Sequence, residues 1–244
     1  MNRARTISIL ATAIVLGDPS IPIAAQLRVE PVLLELNAPA AASVLTLRNE
    51  EDISVVVQTR VLRWSQVNGN ESLEPTTDVV VSPPIVTLAP GADYVVRVVR
   101  VSKRPISGEE SYRVIVDQLP NMGRQQARAI NLLIRHSIPL FFRNPQLSAS
   151  SVSWSLGYEG DKPVIVASNS GDERIRVASL RLRDASGTIV SFGNGLVGYV
   201  LGRSSMKWLV PSLPRGFGAN GSVLVTAETD KGAIKATAQL RGRR

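Results

Sequence analysis

The sequence predicts an all-β protein with two β-sandwich domains set at an angle around a cleft. Several runs are rich in valine and other apolar residues interrupted by single polar residues, as in residues 95–101, a composition that suits a half-buried strand. Turn signals such as Asn68-Gly69 and Pro90-Gly91 separate the runs, as is typical of proteins built from many short strands. No segment shows a convincing helical pattern. These observations together favour strands throughout the chain.

The strands fall into two groups. Those of the first group are predicted at 27–36, 43–48, 54–64, 78–81, 94–101, 112–119 and 127–142. Seven short strands over this length indicate an immunoglobulin-like sandwich.

Arg143-Asn144-Pro145 then breaks the pattern of strands. Strands of the second group are predicted at 152–156, 163–167, 175–183, 188–192, 198–201, 207–210, 222–226 and 233–240. The sequence therefore predicts an immunoglobulin-like domain over 26–143 and a smaller β-sandwich over 147–244. Their short linker predicts a fixed interdomain angle.

The N-terminus has the pattern of an export signal. Arg3 and Arg5 precede an apolar run at 7–16, and small residues precede a cleavage position after Ala25. We expect residues 1–25 to be removed and the mature chain to begin at Gln26. The alternative is an uncleaved amphipathic helix or membrane anchor. No other run approaches the ~18 apolar residues of a membrane-spanning helix, so no membrane insertion of the mature chain is expected.

Composition excludes several functions. The chain has no cysteine, which rules out disulfides, thiol catalysis and zinc–thiolate sites. His136 is the only histidine, too few for a multi-histidine metal site, and no serine lies in a nucleophile-elbow motif. We therefore expect no enzyme activity, no metal and no cofactor. The net charge of +8 comes without aromatic stacking residues between the arginines, so no nucleic-acid partner is expected.

The predicted strand at 127–142 carries more apolar side chains than one face can bury. Ile130, Leu132 and Ile134 project to one side, whereas Leu133 and residues 139–142 need other cover. A strand that is apolar on both faces at a sheet edge favours pairing with another chain. The alternative is that Ile130, Leu132 and Ile134 are core residues of the first domain.

Several motifs together resemble the periplasmic chaperones of chaperone–usher pilus assembly. They are Ser82-Pro83-Pro84, Leu88-Ala89-Pro90-Gly91 followed by Val96-Arg97-Val98, Tyr112 to Pro120, Ile138-Pro139-Leu140-Phe141-Phe142-Arg143, Gly198-Tyr199-Val200-Leu201 and Lys207-Trp208. The resemblance implies a periplasmic protein that binds pilin or spore-coat-like subunits and delivers them to an outer-membrane usher. It also implies donor-strand complementation, in which the chaperone lends its seventh strand to a subunit that lacks one. Ile130, Leu132 and Ile134 are then the side chains that enter the subunit's groove.

The sequence departs from this family at the residues that bind the subunit's C-terminal carboxylate. Leu33 and Pro139 occupy the positions of the usual arginine and lysine. Arg113 and Arg135 each interrupt an apolar strand, where an unpaired charge is costly, and we predict that they form the carboxylate anchor. On an antiparallel pair they could lie close together. The alternative is that both reach solvent or pair with acids such as Asp117.

The same departure is similar to the archaic branch of these chaperones. The short link between the sixth and seventh strands and the absence of cysteine argue against the branch that has a long, disulfide-bearing loop. A rival interpretation of the whole chain is a stand-alone secreted immunoglobulin-like adhesion or structural module. Such a module would have a conventional edge strand and no dependence on a partner.

Overall fold

The computed structural model describes residues 27–120, 133–219 and 222–241, and these residues form strands, turns and loops without a helix. This confirms the predicted all-β fold class. The part of the chain that is described accordingly contains no helix able to cross a membrane. The predicted export signal at 1–25 and two of the three predicted plug residues, Ile130 and Leu132, lie outside the described residues.

Two facing sheets make up the N-terminal domain. Its strands in the described ranges are β1 (Leu27–Glu30), β2 (Leu34–Asn37), β3 (Ala42–Asn49), β4 (Val55–Val67), β5 (Asn70–Pro75), β6 (Val79–Ser82), β7 (Ile85–Leu88), β8 (Asp93–Arg100), β9 (Glu109–Leu119) and β10 (Arg135–Arg143). One sheet has the order β1-β3-β8-β6, and the other has the order β2-β10-β9-β4-β5 with β7 beside β4. Leu45, Val98, Val114 and Phe142 are fully buried between the sheets.

The prediction of a single first strand at 27–36 is wrong. The structure divides this segment between the two sheets, because β1 pairs antiparallel with β3 whereas β2 pairs parallel with β10. Pro31 lies between the two strands, and its missing N–H prevents a continuous ladder. The division brings β2 beside the C-terminal half of β10.

The predicted turn at Asn68-Gly69 is confirmed, and it closes a hairpin longer than the sequence predicts. Both turn residues have positive φ, 53° and 78°, as in the two-residue turn that suits twisted antiparallel strands. β5 and β7 are not predicted from the sequence. β5 is mostly exposed and polar, so it lacks the apolar alternation that identifies a strand.

The C-terminal domain is one continuous sheet that folds around its own core. Its strands are β11 (Val152–Glu159), β12 (Lys162–Asn169), β13 (Ile175–Arg183), β14 (Ile189–Ser191), β15 (Leu196–Val200), β16 (Ser205–Leu209), β17 (Val223–Thr229) and β18 (Gly232–Leu240). The order is β14-β13-β17-β18-β11-β12-β16, with β15 beside β13. Ile165, Leu180, Leu182 and Val225 are fully buried inside it.

Candidate functional site

Within the described residues, one edge of β10 has no neighbouring strand over its N-terminal half. β9 pairs along the whole strand, but on the other side β2 pairs only with Leu140–Arg143. Ile134 accepts a hydrogen bond from the amide of Gln118 at 3.1 Å, whereas Arg143 accepts one from Ala38 on the β2 side at 2.9 Å. Because alternate residues of a strand bond to opposite neighbours, the main-chain groups of Arg135 and Ser137 point toward the open edge.

The open stretch ends at Pro139. The main chain of Pro139 also points toward the open edge, but proline has no N–H to donate to an added strand. From Leu140 onward the edge is already occupied by β2. An added strand can therefore pair alongside residues 133–137 and must stop near Pro139.

The two faces of β10 have different environments. Ile138, Leu140 and Phe142 project into the core of the N-terminal domain, and Ile134 is half-buried on the same side. Phe141 projects to the opposite side, where it packs with Trp64 of β4 and with Tyr199 and Leu201 of the C-terminal domain. The second apolar face at 139–142 is thus covered by the chain's own C-terminal domain, whereas Leu133 is 47% exposed.

Arg113 of β9 lies beside this aromatic cluster at the domain junction. Its guanidinium is 3.7 Å from the centroid of the Trp64 ring and 5.7 Å from that of Tyr199. Within the described residues, Glu71 is the sole carboxylate that comes within 4.0 Å of it. The side chain is only 15% exposed, and burial lowers the pKa of Arg113 below its usual value. Arg113 is therefore a largely buried cation that has no close acidic partner in the described part of the chain.

Arg135 has a different environment. Its Nε donates to Asp117 Oδ1 at 2.5 Å, while the side chain is 64% exposed. This is the pairing that the sequence left open as the alternative to an anchor. In the strand register Arg113 faces Pro139 and Arg135 faces Asp117, which separates the two arginines by about 13 Å along the sheet. The structure does not bring them together, and the expectation that they lie close together is wrong.

Leu33 and Pro139 stand at the two positions where the resemblance places the usual arginine and lysine, and both are apolar. Leu33 is partly buried against the aromatic cluster of the junction. Pro139 is buried and lies directly across from Arg113. Arg113, the cross-strand neighbour of Pro139, is thus the cationic residue that lies beside this position.

The β4–β5 hairpin of the N-terminal domain fastens the two domains. Gln66 donates from Nε2 to the carbonyl of Tyr199 at 2.8 Å and accepts at Oε1 from the amide of Leu201 at 2.9 Å. At the tip, the carbonyl of Gly69 accepts from the amide of Lys207 at 3.0 Å. These bonds fix Tyr199 against Trp64, with ring centroids 5.4 Å apart, and so fix the wall of the site.

A buried ionic network forms the other half of the junction. Arg174 of the C-terminal domain donates from Nη1 to Glu109 Oε2 at 2.5 Å and also pairs with Glu35. Arg143 pairs with Glu173 of the C-terminal domain, which in turn pairs with Lys231. Arg174 also lies 3.6 Å from the centroid of Phe141. This network has no signature in the sequence, because residues 35, 109, 143 and 174 lie far apart along the chain.

Glu109 is the most deeply buried acid of the network, with a side chain 1% exposed. Burial raises the pKa of Glu109 to about 7, although the hydrogen bond from the backbone amide of Arg174 and the charge of Arg143 act in the opposite direction. A carboxylate that is costly to ionise when buried depends on its cationic partner. The network therefore links the charge state of Glu109 to the docking of the two domains.

The single histidine has a structural contact. His136 Nε2 lies 2.9 Å from the carbonyl oxygen of Leu27, so it joins the first residue of β1 to the edge strand β10. In the described ranges, no group of three or more histidine, aspartate or glutamate side chains is placed to hold a metal ion.

The described residues define a two-domain β protein in which an edge of β10 lies unpaired beside the domain junction. The chain belongs to the pili and flagellar-assembly chaperones, since residues 26–148 match the family of the PapD N-terminal domain. A comparison with curated protein sequences gave no match.

Solved structures with the same fold cover nearly the whole chain. One is the CsuC–CsuE chaperone–tip adhesion subunit pre-assembly complex from the archaic chaperone–usher Csu pili of Acinetobacter baumannii, with a TM-score of 0.69 and 20% identity over 89% of this chain and 100% of that chain. The YadV chaperone has a TM-score of 0.63 and 16% identity, over 88% and 99% of the two chains. The complex of the SafA pilin with the SafB chaperone from Salmonella enterica has a TM-score of 0.60 and 17% identity, over 87% and 96%. At these identities the likeness concerns the fold.

Proposed function

We propose that this chain is a periplasmic chaperone that captures pilin-type subunits by donor-strand complementation and delivers them to an outer-membrane usher. We further propose that it belongs to the archaic branch of that pathway. The observation that carries the proposal is the open edge of β10, where the main-chain groups of Arg135 and Ser137 point away from β9. An added strand would gain main-chain hydrogen bonds there, which is the mode called β-augmentation.

The shape of the open edge favours binding of the C-terminal end of a partner chain over binding of an internal segment. Pairing must stop at Pro139, because β2 occupies the edge beyond it and the C-terminal domain covers Phe141. A captured strand whose C-terminus lies at this stop runs in the same direction as β10, as β2 does. Its terminal carboxylate then lies next to Arg113, the cross-strand neighbour of Pro139.

Arg113 suits a carboxylate because its surroundings only partly balance its positive charge. A largely buried guanidinium with an acid no closer than 4.0 Å in the described chain would gain from a charge-assisted hydrogen bond. The Trp64 ring beneath it holds the guanidinium plane in place. We propose Arg113 as the anchor of the subunit's C-terminus, and Arg135, which already binds Asp117, in a different role.

The side chains Ile130, Leu132 and Ile134 are proposed to fill the groove of the subunit. Of these, Ile134 is described, and it projects from the core-facing side of β10 just before the strand begins. Its partial exposure leaves apolar surface available to a partner. Leu133, on the opposite face, provides a matched control of similar size.

We expect Ile134→Asp to abolish recovery of soluble subunit while the free chaperone stays folded. A charge at this position would be forced into an apolar groove, which costs several kcal/mol. The measurement is co-purification of a pilin-like subunit co-expressed from the same gene cluster, with circular dichroism of the free variant. Leu133→Asp should leave capture largely intact.

Two results would contradict parts of this proposal. Unfolding of the free Ile134→Asp variant would mean that Ile134 is a core residue and that the plug register is off by one. A wild-type chain that binds no pilin-like subunit and folds normally alone would instead support the stand-alone adhesion or structural module.

A further inference from the structure

A second group of charged side chains lies on the same sheet face as Arg113, farther from the domain junction. It consists of Arg60 of β4, Asp117 of β9 and Arg135 of β10, from three adjacent strands. Arg60 Nη2 lies 3.0 Å from Asp117 Oδ2, and Arg135 Nε donates to Asp117 Oδ1 at 2.5 Å. Asp117 is 12% exposed, so the two guanidinium groups nearly enclose its carboxylate. We call this group the Asp117 cluster.

The Asp117 cluster carries a net positive charge toward the open edge of β10. Among the described residues, the one carboxylate of Asp117 compensates one of the two guanidinium charges, and no second acid pairs with the other. Arg135 is the more exposed of the two arginines, at 64% against 45% for Arg60. Asp117 also orients the Arg135 guanidinium before any partner arrives, which lowers the entropy that binding would cost.

The position of the cluster along β10 relates it to the captured strand. Arg135 lies four residues before Pro139, where the proposed strand must end, and it shares a sheet face with Arg113. Side chains of a strand alternate between faces with a period of two. A residue about four positions before the captured C-terminus therefore lies beside Arg135 on the same face.

We propose that Arg135, supported by Arg60, recognises an aspartate or glutamate about four residues before the C-terminus of the captured subunit. The inference rests on the proposed function. It adds a contact that fixes the register in which the captured strand pairs with β10. A slip of one residue would turn that acid to the opposite face. The Asp117 cluster and Arg113 then act as two points that fix one register of the captured strand.

We expect Arg135→Glu to weaken subunit capture about three- to tenfold at low salt, since the attraction becomes a repulsion at an exposed site. The effect should shrink at high salt, because exposed charges are screened. Arg104→Glu is the matched control. Arg104 is an exposed arginine that shares an aspartate, Asp78, with Arg63 in the same manner, away from the open edge. The Arg104→Glu substitution should leave subunit capture unchanged.

The acid itself can be located by cross-linking. In Arg135→Lys, a carbodiimide would couple the introduced amine to an adjacent carboxylate in the complex with the co-purifying subunit, and mass spectrometry would map the link. A link within the chaperone to Asp117 reports that the reagent acted. A link to an acidic side chain near the subunit's C-terminus supports the inference.

Other outcomes overturn it. A link to the terminal carboxylate itself would make Arg135 the anchor. If only part of the introduced amine couples to Asp117 and an intact complex still gives no intermolecular link, no acid lies there. Equal capture by wild type and Arg135→Glu would also overturn the inference that Arg135 recognises an acid of the subunit, while leaving the proposed function in place. Failure of the wild type to bind subunit would end both.

Discussion

Replacing Arg113 with methionine is expected to weaken subunit capture about ten- to a hundredfold. A charge-assisted hydrogen bond to a carboxylate contributes roughly 1.5–3 kcal/mol net, and this substitution removes it. The free chaperone should be as stable as wild type or more stable, because methionine can pack on Trp64 without the cost of a largely buried, poorly paired cation. Capture is measured by titration of the co-expressed subunit, and stability by urea denaturation.

Two controls separate an anchor from a structural role for Arg113. Amidation of the subunit's C-terminus should reproduce the loss and add little to the Arg113→Met variant. Arg97→Ala alters an exposed arginine of β8 on the other sheet and should leave capture unchanged. Full binding by Arg113→Met would end its assignment as the anchor.

Replacing Arg174 with alanine is expected to lower the free energy of unfolding by about 3–5 kcal/mol, the usual cost of breaking a buried ion pair. The substitution leaves Glu109 buried without its closest cation and removes the guanidinium that covers Phe141. The matched control is Arg203→Ala, since Arg203 is 65% exposed and pairs with Asp172. That exposed pair should contribute far less to stability than the buried pair, because solvent screens it.

The loss in Arg174→Ala should depend on pH. The pKa of Glu109 is already raised to about 7 in the folded wild type and should rise further in the variant. A raised carboxyl pKa stabilises the folded state at pH values below the unfolded pKa, and this contribution is lost as pH rises through the folded pKa. The variant should therefore be less impaired at pH 5 than at pH 8. A loss that matches Arg203→Ala at both pH values would contradict the assigned role of the network.

Much of the fold could be predicted from the sequence, because alternation and turn residues are local signals. The strand at 175–183 and the Asn68-Gly69 turn are observed where the pattern predicts them. The division of 27–36 between two sheets could not be predicted, because every residue of that segment suits a strand and pairing partners are set by tertiary structure. β5 has no such local signal, because its side chains are mostly exposed and polar.

The candidate site was only partly accessible to sequence reasoning. The apolar excess at 139–142 did indicate two buried faces, but one of them packs on Tyr199 from the other domain. Arg113 was identified because a charge interrupts an apolar strand, and Arg135 was identified by the same signal. The three-dimensional structure is needed to see that no acid of the described residues comes closer than 4.0 Å to Arg113, whereas Arg135 binds Asp117. The contact of Gln66 with Tyr199 and Leu201 has no local signature at all.

The most direct test of strand addition is amide hydrogen exchange at β10, with and without bound subunit. The amides of Arg135 and Ser137 face the open edge, whereas those of His136 and Ile138 already face β9. Binding should slow exchange strongly at Arg135 and Ser137, and change it little at His136 and Ile138. A stable complex in which Arg135 and Ser137 still exchange as in the free chaperone would show that the subunit does not add a strand to this edge.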